Sequence, residues 1–212
     1  MSATTILEAA KQYRARGWTP IPLSGKDPSI NGAGWQERTY EDRDFEVEGR
    51  NVGLLTGERS KGLTDLDLDC AESRRVAPYF LPDTEAVFGR DETGPTHLLY
   101  VTKVRLPLLR LLDPLKPKDE KAVIAEYRDG TEEKAAQTMA PPSIHPITKE
   151  TLGWYRYGDR AEVDAFDLHR RFMRLCSAAL LATYWPGKGA GHHAANALSG
   201  GLVRMGWRTR KW

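Results

Sequence analysis

Apolar residues recur every three to four positions at the start of the chain, which is the spacing of one face of a helix. Thr5 and Glu8 stand at the spacing of a capping box, in which each side chain accepts a hydrogen bond from the backbone N–H of the other. Gly17 follows and can adopt the left-handed conformation that ends a helix. The pattern therefore predicts a first helix over residues 5–16.

The next apolar segment, residues 18–23, contains Pro20 and Pro22. Because proline has no N–H to donate to a sheet, we predict a short strand at a sheet edge. Residues 24–50 are rich in Gly, Asp, Glu, Asn and Pro. This composition predicts a long surface connection, with one helical turn after Thr39.

Short apolar segments bounded by turn residues occupy the middle of the chain, and a helical pattern lies between the second and the third. We predict strands at residues 52–56, 63–68, 96–101 and 122–127, and a helix at residues 71–80. This arrangement predicts an α+β fold built on a mixed or antiparallel sheet.

Two helical patterns end the chain, at residues 163–184 and 193–205, with a Pro- and Gly-rich break between them. We therefore divide the chain into a main domain, residues 1–160, and a helical segment, residues 161–212. The last residues end without a polar tail, so we expect the chain to continue in a longer protein.

The composition narrows the class of protein. Of the 212 residues, 40% are hydrophobic and 28% are charged, which excludes membrane-spanning, collagen-like and low-complexity disordered chains. The N-terminus carries charges where a signal peptide needs an apolar stretch, so we expect a soluble, cytoplasmic protein. Cys70 and Cys176 are the only cysteines, too few for a disulfide framework or a Cys/His zinc site.

The net charge of +2 is unevenly distributed along the chain. Residues 161–212 hold eight Lys or Arg against three acidic residues, a charge of +5, which leaves −3 for residues 1–160. A basic segment of this kind suits contact with a polyanion, but it is equally typical of a solvated helix face, and charge alone leaves both readings open.

Acidic and apolar residues alternate strictly from Leu63 to Asp69. On a strand, this alternation places Asp65, Asp67 and Asp69 on one face, with neighbours about 7 Å apart, close enough to share bound cations. Oxygen ligands of this kind favour Mg²⁺ or Mn²⁺. An exposed acidic sheet face remains the alternative.

Two other polar residues interrupt apolar strands. Glu126 and Arg128 lie on one face of the last predicted strand, and His97 stands near the start of the third. Taken singly, Glu126 and Arg128 are typical of a surface salt bridge, and His97 of a structural histidine. In this order, however, the residues supply cation ligands and a phosphate donor, which in-line phosphoryl or nucleotidyl transfer requires.

Several ordered motifs resemble the primase-polymerase domain of the archaeo-eukaryotic primase superfamily, found in plasmid, phage and bacterial replication proteins. The resemblance covers most of residues 1–160. Its motifs are Gly-Trp-Thr-Pro-Ile-Pro-Leu at 17–23 with Lys26, Pro28 and Gly34-Trp35; Thr56-Gly57, Ser60 and Gly62-Leu63 before the Asp-Leu-Asp at 67–69; His-Leu-Leu-Tyr at 97–100; Glu126 with Arg128; and Ala-Pro-Pro-Ser-Ile-His-Pro at 140–146, followed by Trp154-Tyr155 on an aromatic strand.

The resemblance implies a primase-like core with an RRM-like half and an N-terminal α/β half, followed by a small helical segment. It implies a DNA primase/polymerase that adds nucleotides to a 3′-hydroxyl on single-stranded DNA, with dNTPs or NTPs as substrates and a helicase as a candidate partner. In this family pattern Asp67, Asp69 and Glu126 are the catalytic ligands of two Mg²⁺ or Mn²⁺ ions, and His97 and Arg128 bind the nucleotide.

The chain departs from the family pattern at two positions. Asp65 stands where the family usually has an apolar residue, and Pro95 replaces a serine, which shifts the hydroxyl contact to Thr93 or Thr96. Lys61, Lys134 and His145 are weaker candidates for the nucleotide pocket. Trp35, Trp154 and Tyr155 are candidates for base stacking, although core packing is the better interpretation.

Two other functions fit the same residues. A metal-dependent nuclease also uses paired aspartates, a glutamate and a histidine, but degrades DNA without nucleoside triphosphates. A non-catalytic replication-initiation module that binds DNA would retain its function without Asp67 and Asp69.

Overall fold

A computed structural model describes residues 4–116, 122–130 and 136–206, which form four α-helices and ten β-strands. The helices are α1 (Ile6–Ala15), α2 (Ala71–Phe80), α3 (Ala165–Thr183) and α4 (Gly191–Arg204). The strands are β1 (Pro20–Leu23), β2 (Asn51–Leu55), β3 (Leu63–Asp67), β4 (Ala86–Arg90), β5 (Gly94–Val101), β6 (Leu109–Leu112), β7 (Val123–Arg128), β8 (Gln137–Ala140), β9 (Leu152–Tyr157) and β10 (Ala161–Glu162). The predicted α+β class is confirmed.

Helix α1 begins as its capping sequence predicts. Thr5 Oγ1 accepts a hydrogen bond from Glu8 N at 3.1 Å, and a Glu8 carboxylate oxygen accepts one from Thr5 N at 2.8 Å. Gly17 has a φ of +74°, a conformation that costs other residues free energy, and it turns the chain toward β1. The predicted helix at residues 5–16 is confirmed to within one residue at each end.

The smaller sheet has three antiparallel strands in the order β1-β2-β8. Strand β1 lies at its edge, where the prolines of this strand are tolerated, and this confirms the predicted edge strand. The connection to β2 carries short 3₁₀ helices at Ser29–Asn31 and Asp42–Phe45, the second of which is the turn predicted after Thr39.

The larger sheet has the order β6-β7-β3-β5-β4-β9, with all neighbours antiparallel, and β10 pairs in parallel with β5. The four strands predicted in the middle of the chain are confirmed as β2 of the smaller sheet and β3, β5 and β7 of the larger sheet. The predicted helix at 71–80 is confirmed as α2. Strands β4, β6, β8 and β10 have no counterpart in the prediction.

The two faces of the larger sheet bury different clusters. Leu63, Phe88 and Leu99 point toward α1 and the smaller sheet and join one hydrophobic cluster. Leu66 and Tyr127 point the other way and pack with residues of α2 and α3. Because side chains alternate along a strand, Asp65 and Asp67 of β3 project on the same side as Leu63, toward the smaller sheet.

Helices α3 and α4 confirm the two helices predicted at the end of the chain, and they differ in packing. Helix α3 buries a stripe against the larger sheet that includes Leu168, Phe172 and Leu175, whereas α4 has no buried residue. Within the described ranges, none of the helices combines the length and the apolar character that a membrane span needs. The proposed division near residue 160 stays a prediction.

Candidate active site

The three central strands of the larger sheet bring the predicted polar residues together. Asp67 on β3 lies directly opposite Glu126 on β7 and directly opposite His97 on β5. Directly paired residues of antiparallel strands project from the same face, with Cβ atoms about 4.5–5.5 Å apart. Arg128 lies on this face too, opposite Asp65. Side chains from three separate motifs therefore form one polar patch.

Arg128 links the carboxylates of this patch. Its Nη2 atom lies 2.7 Å from Asp67 Oδ2 and 2.6 Å from Glu126 Oε2, and its Nη1 atom lies 3.5 Å from Asp65 Oδ2. Burial disfavours the charged guanidinium, but Asp67, Asp65 and Glu126 outweigh this effect and raise the pKa of Arg128. The charge of Arg128 is therefore balanced by these acids, and Arg110 adds a further ion pair to Glu126 at 3.0 Å.

His97 is held between two acids and an aromatic ring. Its Nδ1 atom lies 3.0 and 3.2 Å from the two carboxylate oxygens of Asp65, and its Nε2 atom lies 3.6 Å from Asp67 Oδ1. The ring stacks on Phe88 with a centroid distance of 4.3 Å. Burial opposes protonation of His97, but Asp67 and Asp65 more than compensate and raise its pKa. Burial on its own would raise the pKa of the Asp67 carboxyl, but the charges of His97 and Arg128 outweigh burial and lower that pKa.

Asp69 lies two residues beyond the end of β3, where backbone contacts fix the chain. Asp69 N donates to Ile124 O at 3.1 Å, and Arg74 Nη1 donates to Asp69 O at 2.9 Å. Desolvation inside the cleft, followed by the charges of Asp67 and Glu126, raises the pKa of the Asp69 carboxyl to about 7. The three acids are thus close enough for their charges to repel one another.

A cleft of about 200 Å³ opens over this patch. Asp67, Asp69, His97 and Arg128 form one side of it. The remaining lining residues come from the smaller sheet, the loops beside it, the neighbouring strands and helix α2: Lys26, Leu68, Arg74, Arg90, Thr96, Gln137, Met139, His145 and Leu152. Basic and acidic side chains therefore line the same solvent-open cavity.

The basic side of the cleft is only partly balanced by acids. Arg90 Nη1 lies 3.3 Å from a Glu150 carboxylate oxygen, whereas Lys26 forms no ion pair with any of the residues that the structure describes. Desolvation, with the charges of Arg128 and Arg90, lowers the pKa of Lys26, although Asp67 opposes the change. His145 Nδ1 accepts a hydrogen bond from Thr148 N at 3.2 Å.

The donor set of the patch suits a hard cation, but the acids are not arranged around a common ligand position. Among residues 4–116, 122–130 and 136–206, no three His, Cys, Asp or Glu side chains form a group that could hold a metal ion as they stand. Arg128 lies between Asp67 and Glu126 and pairs with both carboxylates. Asp67, Asp69 and Glu126 offer oxygen ligands that repel one another, which fits Mg²⁺ or Mn²⁺, and they would hold such an ion in exchange for the ion pairs with Arg128.

The weaker sequence candidates are scattered. His145 lines the cleft, where its contact with Thr148 also stabilises a turn, while Lys61 lies outside it. Thr96 lines the cleft, as expected if it replaces the family's serine. Trp154 packs in the core, and Tyr155 is 46% exposed. Lys134 lies outside the described residues.

Sequence reasoning did not assign Lys26, Arg74, Arg90 and Gln137 to the site. Lys26 stands out in the sequence only as part of a motif, and Arg90 ends a strand that the apolar pattern does not predict. These residues reach the cleft from four separate segments. No signal in any one segment distinguishes them from ordinary surface residues.

Comparison with known proteins assigns the chain to a family. The family model described as bifunctional DNA primase/polymerase, N-terminal, matches residues 10–165, well over half of the chain. No curated protein matches the chain. The matched region includes the patch on β3, β5 and β7 and every lining residue of the cleft. The chain thus belongs to the bifunctional DNA primase/polymerase N-terminal family.

Proposed function

We propose that this protein is a template-dependent nucleotidyltransferase, a DNA primase/polymerase that adds nucleotides to a 3′-hydroxyl. Membership of the family supports primase/polymerase activity in general. The observation that carries the finer proposal is the pairing of Asp67 with Glu126 and His97, because Asp67 and His97 line a cleft that basic side chains also line.

Three acids are assigned to cation binding. Asp67, Asp69 and Glu126 would hold two Mg²⁺ or Mn²⁺ ions, in a family that is generally metal-dependent. Bound cations of this kind lower the pKa of an attacking hydroxyl and neutralise charge on the reacting phosphate. Asp69 is suited to this role because it forms no ion pair with the described basic residues and projects into the cleft.

The basic residues are assigned to the triphosphate. His97 and Arg128 were predicted from the sequence to bind the nucleotide, and Lys26 and Arg90 add two cations on the facing side. Lys26 is the best placed, since no acid among the described residues forms an ion pair with it. Arg128 would join once cations take over its acidic partners and its planar fork of donors turns toward phosphate oxygens.

The remaining assignments follow the family. The larger sheet with α2 and α3 corresponds to the RRM-like half, and α1 with the smaller sheet to the N-terminal half. Single-stranded DNA is the proposed template, and the basic helical segment at residues 161–212 is proposed as an accessory to the catalytic domain and a connection to a helicase. The basic Arg208, Arg210 and Lys211 of that segment lie outside the described residues.

Primer extension tests the proposal. Purified protein with Mn²⁺ or Mg²⁺ and dNTPs is expected to lengthen a labelled primer on a single-stranded template. The double variant Asp67→Ala/Asp69→Ala should stay folded by circular dichroism but add no nucleotides. Glu46→Ala/Glu48→Ala is the matched control, because it removes two exposed acids at the same spacing, away from the cleft.

The same assay separates the other functions. Shortened DNA without added nucleotides would favour a nuclease. Unchanged DNA, with template binding that survives the Asp67→Ala/Asp69→Ala change, would favour a binding module. Extension by the double variant would falsify the assigned site. Short products on unprimed template would add chain initiation to the activity.

A further inference from the structure

Asp65 is the acid of the patch with no role in the proposed function. Its side chain has no solvent exposure and does not line the cleft, although it lies only two residues before Asp67. It therefore cannot touch a nucleotide in this conformation. A carboxylate buried in this way destabilises the fold unless charged or hydrogen-bonding partners compensate, and its two charged partners within the described residues, His97 and Arg128, line the cleft.

Two kinds of contact fix the ring of His97, one on its face and one at its edge. Phe88, which is fully buried, stacks on it with an interplanar angle of 8° and so sets the plane of the ring. Asp65 contacts Nδ1 at 3.0 and 3.2 Å and so sets which edge of the ring faces inward, with Thr138 Oγ1 farther from the same nitrogen at 3.5 Å. Stacking alone would be satisfied equally well after a half-turn of the ring about the Cβ–Cγ bond, which exchanges its two edges.

The contact with Asp65 also determines which nitrogen is left for the cleft. A carboxylate oxygen accepts hydrogen bonds, so Nδ1 is the donor to Asp65. Nε2 then lies on the opposite edge, next to Asp67, and in the charged ring it carries a second hydrogen that a phosphate oxygen can accept. A second residue commonly sets the direction of a functional histidine in this way.

We propose that Asp65 is a positioning residue for nucleotide binding, which holds His97 with Nε2 directed into the cleft toward the phosphates of the incoming nucleotide. The inference rests on the proposed function of the cleft and adds to it a residue that touches neither substrate nor cation. Asp65 acts through His97, and its weaker contact with Arg128 at 3.5 Å is secondary.

Steady-state primer extension with Asp65→Leu and Asp65→Asn tests the proposal. Asp65→Leu removes the acceptor, and loss of a hydrogen bond to a charged group should raise KM for the dNTP by about tenfold or more, with a smaller change in kcat. Asp65→Asn keeps an oxygen that accepts from Nδ1–H, so its KM should stay within about threefold of the wild-type value. Equal KM values for wild type and Asp65→Leu would overturn the proposal, as would equal losses in both variants confined to kcat.

Asp129→Asn is the matched control. Asp129 is also fully buried beside the larger sheet, where it accepts hydrogen bonds from Arg105 at 3.0 Å and from Leu106 N at 2.9 Å, away from the cleft. Neutralising it tests the effect of removing a buried charge as such. Its KM for dNTP should match that of the wild type, and a rise equal to that of Asp65→Leu would refute a specific role for Asp65.

A double-mutant cycle and a spectrum complete the test. In a His97→Ala background, Asp65→Leu should raise KM no further, because its effect passes through the ring. Additive effects on KM would contradict this route. ¹⁵N spectra of the labelled histidines, recorded without nucleotide, should show a hydrogen-bonded Nδ1 of His97 in wild type and a shifted Nδ1 signal in Asp65→Leu.

The spectra also keep the two proposals apart. If Asp65→Leu is too unstable for kinetics, Asp65→Asn should still keep the wild-type signals of the His97 ring, and their loss would overturn the positioning role. If the wild type extends no primer, the proposed function fails, but the expected spectral change in Asp65→Leu would still establish that Asp65 orients the His97 ring. Identical spectra would overturn the positioning role whatever the activity.

Discussion

At the scale of single residues, Arg128 determines the charge of the cleft before any cation binds. It lies within 2.7 Å of both Asp67 and Glu126, and only 19% of its side chain is exposed. The predicted ligands of a metal therefore already have a positive partner supplied by the chain. In the proposed function, a cation that enters would compete with this guanidinium and leave the arginine free to pair with phosphate.

Arg128→Ala tests this competition. The change leaves Asp67 and Glu126 without their shared partner, and breaking a buried ion pair in this way costs about 3–5 kcal/mol. We expect a lower free energy of unfolding in EDTA, and a rise in Tm on adding Mg²⁺ that is larger in the variant than in the wild type, because the unpaired acids bind the cation more tightly. Thermal denaturation with and without Mg²⁺ measures both.

Arg156→Ala is the control for this prediction. Arg156 pairs with Asp83 at 2.8 Å, but both side chains are well exposed, so its loss should change stability by no more than about 1 kcal/mol. Mg²⁺ should then shift Tm of this variant as it does the wild type. An Mg²⁺ effect in Arg128→Ala no larger than in the wild type would contradict the competition.

At the scale of elements, the close approach of β4 to the start of β5 positions His97. Gly89 lies where the register between these strands shifts, and a Cβ atom there would come within 2.1 Å of Gly94 O and 2.9 Å of Thr96 N. Both contacts are with backbone, which cannot turn aside as a flexible side chain can. Only glycine therefore allows β4 to pair at this point.

Gly89→Ala is expected to move the start of β5, and with it Thr96 and His97. Overpacking of this kind costs about 1–3 kcal/mol, so urea denaturation should show that loss, and primer extension should fall with it. Gly153→Ala is the control. Gly153 lies on β9 directly opposite Gly89, but there is open space where its Cβ would lie. It should stay within about 1 kcal/mol of the wild type. Equal effects of the two changes would argue against the close approach.

The same elements show what the sequence could predict. The capping residues of α1 and the alternation of β3 are local signals, and both led to the correct element. Strand β4 was missed because Gly89 and the polar residues after it are typical of a turn, and β8 because it is short and begins with polar residues. Their assignment depends on partners that are distant in the chain.

The candidate site shows the same difference between residues with a local signal and residues brought together only by folding. Asp67, Asp69 and Glu126 could be named from their places on apolar strands and from the resemblance. The pairing of Asp67 with both Glu126 and His97 could not, because register is set by contacts among three strands. Lys26 and Arg90 could not be found either, since folding alone brings their segments to one cavity.

At the scale of the whole molecule, the family match and the hydrophobic core end at different places. The match stops at residue 165, where α3 begins, yet α3 buries Leu168, Phe172 and Leu175 against the back of the larger sheet. That helix is therefore part of the core that supports β3, β5 and β7. Helix α4, in contrast, buries nothing.

Truncation checks this reading of the core. A chain that ends at Asp164 loses several buried side chains worth about 1.5–3 kcal/mol each, which together approach the entire stability of about 5–15 kcal/mol of a typical domain. We expect it to be insoluble or to lack a cooperative unfolding transition. A chain that ends at Pro186 loses α4 but keeps α3, and should melt within a few degrees of the full chain. A cooperative transition in the shorter chain would contradict this role of α3.

The buried carboxylate of Asp65 has a consequence for how the sequence of this protein can diverge. Its two partners, His97 and Arg128, offset the unfavourable desolvation, so a descendant that replaced either one would be penalised in folding as well as in function. Among relatives, aspartate at this position should accordingly occur only with both partners retained, while an apolar residue here leaves the other two positions freer to change.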